Sequence, residues 1–266
     1  MALTSLRASD PKATDAELLA RAAEVFVRGF AFTRSRTHPY LAERVGQVWA
    51  LRDAPRRDRR YRREEWIACG VSPAELDRLA RAQTRGRFAI CPIHPVDQPD
   101  DELRGRFKAL GYRLGTTEPL MVHDLKRVPR ASSPARVERV RTAALAARLA
   151  QAMRSRPMPA EHLARDAPLR QYVALVDDEP AGWVRSVVVG DATSCSDMYV
   201  RPRYRRRGIA RTLMGRMLRD DRRAGATLAV LTASHTGAKL YTGMGYTQVG
   251  TVYVYTPPRR RAGPSA

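Results

Sequence analysis

The chain has 266 residues and a formal charge of +21 at neutral pH, long for one compact domain and about right for two small ones. Only four of its 48 cationic side chains are lysines (Lys12, Lys108, Lys126, Lys239), and the arginines run through both halves instead of forming one stripe. Such a charge predicts non-specific attraction to acidic partners at low salt but marks no nucleic-acid surface, so nucleic acid is not the expected partner. No apolar run approaches the roughly 18–20 residues of a membrane span. The three cysteines, Cys69, Cys91 and Cys195, argue against a disulfide framework and for a reducing, cytoplasmic setting.

In chain order, residues 1–13 are poor in apolar side chains and are expected to fray. Thr14 and Glu17 form a capping box, opening a helix with Leu18, Leu19, Ala22, Val25, Phe26 and Phe30 at core-facing positions. A strand is expected over 45–51, and the charged run 56–63 reads as solvated. Ser72-Pro73-Ala74-Glu75 starts a second helix, with proline in its first turn. A buried strand follows over 88–93. Cys91-Pro-Ile-His94 holds two side chains able to bind metal, but no second pair at zinc spacing completes the set, so no metal is expected. A helix over 100–110 stops at Gly111, and 112–125 reads as a hairpin turning near Gly115-Thr116.

The segment 129–134 (Pro-Arg-Ala-Ser-Ser-Pro) is the one linker-like interruption. It divides the chain into an N-terminal domain, 1–128, and a C-terminal domain, 135–256. A basic Pro/Gly/Ser tail, 257–266, has nothing to fold on. Beyond the linker the pattern is β-α-α-β-β-β-α-β-α-β: a strand over 135–140, a helix over 142–154, a short helical piece near 160–164, and strands over 172–176, 181–189 and 193–200. A helix from about 209, a strand over 228–231, a helix over 236–244 ended by Gly245 and a strand over 248–255 complete it. Phe107-Lys-Ala-Leu-Gly111-Tyr112 echoes Tyr241-Thr-Gly-Met-Gly245-Tyr246, each after a helix and before a strand with a Gly-Thr pair (Gly115-Thr116; Gly250-Thr251). This register points to a worn internal duplication.

The most informative stretch runs from Met198 to Arg211. A strand end, a proline-marked turn, the basic run Arg205-Arg206-Arg207, Gly208, and then Ile209, Leu213, Met214, Met217 and Leu218 at helical spacing follow one another. A strand turning straight into a helix N-terminus leaves backbone N–H groups without partners, and the helix dipole adds about half a positive charge there. The local expectation is a cradle for a diphosphate. Gly208 would let the phosphate approach the main chain.

Arg205-x-x-Gly208-x-Ala210 resembles the R/Q-x-x-G-x-G/A signature of the GNAT superfamily of acyl-CoA-dependent N-acyltransferases, and Leu240-Tyr241-x-x-x-Gly245-Tyr246 is similar to a second motif of that family. The resemblance covers roughly residues 135–256. It implies a mixed α/β fold with a splayed sheet flanked by helices, and a smaller, degenerate, related N-terminal domain that shapes the substrate side. It further implies acetyl-CoA as cosubstrate, with main-chain groups of Met198, Tyr199 and Val200 pairing to the pantetheine arm, and the diphosphate resting on Arg205, Arg206, Arg207, Gly208, Ile209 and Ala210. Tyr241 stands at the family's general-acid position. Asp197 stands where related enzymes carry an acidic residue, to activate the amine, orient it or merely cap backbone. Ser234 stands where the family often has a cofactor-binding Asn, though Ser is shorter. His235 reads as a structural or exposed helix-start residue. The function implied is acetyl transfer from acetyl-CoA to a small-molecule, peptide or protein amine. The alternative is a non-catalytic module that binds coenzyme A or nucleic acid. The acceptor and a homodimeric state are left open.

Overall fold

The computed structural model describes residues 14–258; the expectations for 1–13 and for most of the tail fall outside the described residues. Helix α1 (Asp15–Arg34) is capped as the sequence requires, Thr14 Oγ1 accepting from the Glu17 amide while Glu17 accepts from the Thr14 amide. Strands β1 (Tyr40–Val45), β2 (Val48–Asp53) and β3 (Glu64–Cys69), helix α2 (Pro73–Gln83), strand β4 (Phe88–Pro95), helix α3 (Asp101–Ala109) and strand β5 (Arg113–His123) complete the first half. The second half holds β6 (Arg136–Arg139), α4 (Ala143–Met153), β7 (Leu169–Val176), β8 (Glu179–Val189), β9 (Ala192–Val200), α5 (Ile209–Arg223), β10 (Leu228–Thr232), α6 (His235–Thr242) and β11 (Thr247–Thr256). Among the described residues no helix is long and apolar enough to cross a membrane.

All eleven strands join one mixed sheet in the order β1-β2-β3-β4-β11-β5-β10-β9-β8-β7-β6. Helices α1 and α4 cover one face, with Leu120, Val122, Val230 and Val252 beneath α1. Helices α2, α3, α5 and α6 cover the other.

The two halves exchange their last strands. β11 of the second half lies between β4 and β5, and β5 of the first half lies between β11 and β10. The β5–β11 register is symmetric: Thr247 faces Val122 and Thr256 faces Arg113, so one shift of 134 residues (247 − 113, 256 − 122) maps each pair onto the other. The same shift relates Gly111 to Gly245, the echo seen in the sequence. Even the two irregularities in the ladder correspond, one between Gln248 and Gly250 and one between Val254 and Tyr255. The proline-rich segment 129–134 falls between β5 and β6, while the sheet runs unbroken across both halves.

Two expectations are corrected. Residues 112–125 form no hairpin; Gly115 is the residue skipped at a bulge within continuous β5. The charged run 56–63 is not simply solvated, because Arg62 reaches inward, its Nε 2.7 Å from buried Asp53 Oδ1 and its Nη1 and Nη2 donating to the carbonyls of Arg34 and His38. The chain between β5 and the segment 129–134 is tied to α5: the carbonyls of Lys126 and Pro129 accept from Arg222 and Arg219, and a Cβ on Gly215 would stand 3.1 Å from the Pro129 carbonyl.

Helix α1 joins the halves, since Arg21 Nη2 donates to Asp191 and Thr227 of the second half. At Gly29 the helix meets β9 so closely that an added Cβ would stand 2.2 Å from Ser194 Cβ. Neither partner is a flexible side-chain end, so relief requires the helix to lift. Gly29→Val is expected to cost about 1–3 kcal/mol by overpacking. A urea midpoint equal to wild type would show that the contact is not tight.

Candidate active site

The site forms where β9 leaves its neighbour. β9 pairs parallel with β10 only from Ala192 to Ser194, opposite Leu228 to Val230. From Cys195 to Val200 it stays paired to β8 alone. The ladder to β8 jumps between Trp183–Tyr199 and Arg185–Ser196, so Asp197 and Met198 together oppose one residue of β8. Asp197 sits at this bulge with φ +54°, a left-handed conformation that Asp tolerates better than most side chains. A bulge adds local twist and bends its strand, which accounts for the parting. In the first half the corresponding strands β3 and β4 stay paired from Glu64–Phe88 through Cys69–Ile93, and only Gly70, Val71 and Ser72 separate β3 from α2. That half has neither the gap nor the basic loop.

Beyond β9 a single 3-10 turn, Pro202–Tyr204, leads into Arg205, left-handed Arg206 (φ +64°) and Gly208 (φ +77°), the N-cap of α5. Buried Ile209 and Leu213 anchor the helix on the sheet. The first ladder bond of α5 runs from the Thr212 amide to the Gly208 carbonyl, and among the described residues the amides of Arg206 to Arg211 have no backbone acceptor. Arg206 and Arg207 are exposed at the rim. Arg205 is turned back, its Nε 3.0 Å from the Val200 carbonyl. That carbonyl is thus satisfied from within the loop. A Cβ at Gly208 would stand 2.9 Å from the Ser132 carbonyl, so a side chain at this position would also press on the segment 129–134.

Met198 and Val200 pack toward the α5 core. Tyr199 points to the α1 face, 39% exposed and stacked on Trp183 with 4.9 Å between centroids. Asp197 is half exposed, and its Oδ2 lies 2.5 Å from Nη1 of buried Arg185. Its carboxylate is therefore held by a cation. Tyr241 is buried on α6, its ring edge-on to Tyr246 at 5.8 Å. Burial, with Cys195 of β9 close by, pushes its phenol well above the ordinary value. Ser234 Oγ accepts from the Gly237 amide at 3.1 Å and so caps α6. His235 is exposed, its ring 2.8 Å from Thr117 Oγ1.

Sequence reasoning missed Arg185 and Ser196. A lone cation inside Ala-Gly-Trp-Val-Arg-Ser-Val-Val-Val was the available signal, since buried charge in a strand demands a partner. The Cys91/His94 pair is structural: Cys91 is buried, and the His94 ring lies 3.1 Å from the Pro99 carbonyl. Among the described residues no group of three or more metal-ligating side chains occurs.

Residues 168–248 match the family described as Acetyltransferase (GNAT) domain. No curated protein sequence matches the chain. A GCN5-related N-acetyltransferase from Kribbella flavida superposes with a TM-score of 0.63 at 18% identity, covering 91% of this chain and 96% of that one. One from Sphaerobacter thermophilus gives 0.53 at 16% identity, covering 90% and 94%. A tandem GNAT protein from the clavulanic acid biosynthesis pathway gives 0.50 at 14%, covering 95% and 97%. At these identities the likeness is one of fold, and it extends over both halves.

Proposed function

From the match of residues 168–248 to the family described as Acetyltransferase (GNAT) domain we infer that this protein is an N-acetyltransferase that uses acetyl-CoA. The observation that carries the reading is the parting of β9 from β10 directly beside a loop of unpaired amides and exposed arginines. An unpaired strand edge can take an extended amide chain as an added strand, and a helix N-terminus favours a diphosphate. The free edge at Met198 and Tyr199 would hold the pantetheine arm, and Arg206 to Ala210 the diphosphate. Bound acetyl-CoA supplies the activated acyl group. Every other demand of the reaction falls on the chain. The first half, with its closed β3–β4 seam, is an accessory domain without a second cofactor.

The acceptor must present a neutral amine. Removing a proton from an ammonium of pKa about 10 to 10.5 at pH 7 costs roughly 4–5 kcal/mol, so the site must orient the amine and lead its proton to solvent. Asp197, half exposed, stands at the bulge for the orienting task. Tyr241 stands beside Cys195 at the start of the gap, where it would donate to the departing thiolate.

The test is a thiol-release assay with acetyl-CoA over a panel of small amines, amino acids and peptides. Turnover that depends on an added amine, with the acetylated amine identified by mass, is the expected result. Binding of nucleic acid that weakens steeply with salt and ignores acetyl-CoA, without any turnover, would replace this reading.

A further inference from the structure

On the α1 face of the sheet, beside the parting of β9 and β10, two buried polar atoms, Arg185 Nε and Ser196 Oγ, lie without partners. Arg185 of β8 and Ser196 of β9 are opposite each other in the ladder. The Arg185 side chain is 8% exposed. One of its nitrogens, Nη1, meets Asp197, while its Nε–H is buried with no acceptor, and Ser196 Oγ is likewise buried and unpartnered. A buried donor left unpaired costs about 1–3 kcal/mol, and two at adjacent positions next to the reacting centre call for an acceptor that arrives with a ligand. The electrostatics agree. Burial pushes the Arg185 guanidinium below its ordinary range against the pull of Asp197, and nearby Arg36 pushes it further the same way. An anion seated here would relieve both effects. Next to these donors, half-exposed Asp197 offers a negative site, and the stacked Trp183 and Tyr199 rings offer an apolar wall.

We propose that the acceptor is a small α-amino acid, its carboxylate held by Arg185 and Ser196, its amino group oriented by Asp197 and its side chain lying against Trp183 and Tyr199. This rests on the acetyltransferase reading above and adds the substrate class. The neutral amino nitrogen forms the new C–N bond to the acetyl carbonyl carbon. The C–S bond breaks, its electron pair stays on sulfur, and the thiolate takes a proton. The amine proton leaves to solvent. The products are an N-acetylamino acid and free coenzyme A.

The experiment compares matched series on the full chain with acetyl-CoA: phenylalanine, leucine and methionine, each beside its amide and its decarboxylated amine. A charge-assisted pair of hydrogen bonds predicts kcat/KM for the acid at least a hundredfold above that for the amine. In Ser196→Ala that ratio is expected to shrink about tenfold, and in Ser196→Thr, which keeps the hydroxyl, to recover. A merely structural role for Ser196 would lower all three members of a series together and leave the ratio alone. Amines acetylated as well as their parent acids would overturn the proposal while leaving an acetyltransferase, and amides equal to the acids would overturn the carboxylate assignment. Should neither these compounds nor the wider amine and peptide panel be acetylated, the acetyltransferase reading fails. Calorimetry of the amino acids against the protein saturated with coenzyme A then decides this proposal by itself: binding of acids over amines upholds the subsite, and its absence refutes it.

Discussion

Gly208→Asp is expected to weaken acetyl-CoA binding at least a hundredfold, a loss of about 2.7 kcal/mol, with the fold retained. Two effects act at this residue and they can be separated. The first is charge. A carboxylate some 4 Å from a phosphate at the mouth of α5 repels it by about 4 kcal/mol at an effective dielectric of 20, and it also offsets the positive end of the helix dipole. The second is steric. Gly208 has φ +77°, and its Cβ would press on the Ser132 carbonyl at 2.9 Å, so any side chain there carries strain of order 1–3 kcal/mol and pushes the linker off α5. Gly208→Ala carries the steric part alone. Calorimetric titration of both variants, with urea unfolding alongside, resolves the two: alanine should lose stability while keeping most of the affinity, and aspartate should lose both. A folded aspartate variant that binds acetyl-CoA within threefold of wild type would refute the cradle. If alanine loses as much affinity as aspartate, the displaced linker, and not charge, governs the site.

What could be read from the residues alone divides along the range of the forces involved. The capping box at Thr14, the proline-led start of α2 and the helix after Gly208 depend on neighbours within one turn, and all lie where the sequence places them. The joint at 198–211 was legible for the same reason, because its strand, loop and helix N-terminus are consecutive in the chain. Strand β3 was missed since Glu64 and Glu65 look like surface residues until Arg85, Arg34 and Tyr40, distant in sequence, are seen to satisfy them. Gly115 looked like a turn because a glycine in a strand signals either a turn or a bulge, and only the partner strand β11 decides which. The exchange of β5 and β11 lies wholly in long-range pairing. The sequence held its trace, the 134-residue echo, but not the pairing it implied. Arg185 escaped because its partner Asp197 reaches it only through a bulge, and a bulge reverses the side-chain alternation on which strand reading depends.

Tyr241→Phe is the more searching test of chemistry, because it removes one oxygen from a packed ring and little else. The ring belongs to the core of the α5–α6 face and phenylalanine keeps that packing, so stability and acetyl-CoA affinity should change little, the latter within about twofold. Turnover should fall by about 10²–10⁴, the usual range for a positioned general acid. The pH dependence carries a second, independent expectation. Burial holds the phenol above its ordinary value of about 10, so its acidic form persists through the whole neutral and mildly alkaline range. Loss of the proton from Tyr241 therefore cannot produce a falling limb of kcat below about pH 10. A rising limb from the amine and its proton path should be seen in wild type. A thiolate of pKa near 8.5 is a weaker base than this phenolate, so complete transfer is uphill. The role expected of the phenol is therefore chiefly to hydrogen-bond the sulfur as its charge develops, with the proton exchanged afterward. That account requires kcat to drop while KM for acetyl-CoA stays put. A variant that turns over at the wild-type rate across pH 6 to 10 would leave Tyr241 as a core side chain and return the leaving thiolate to solvent.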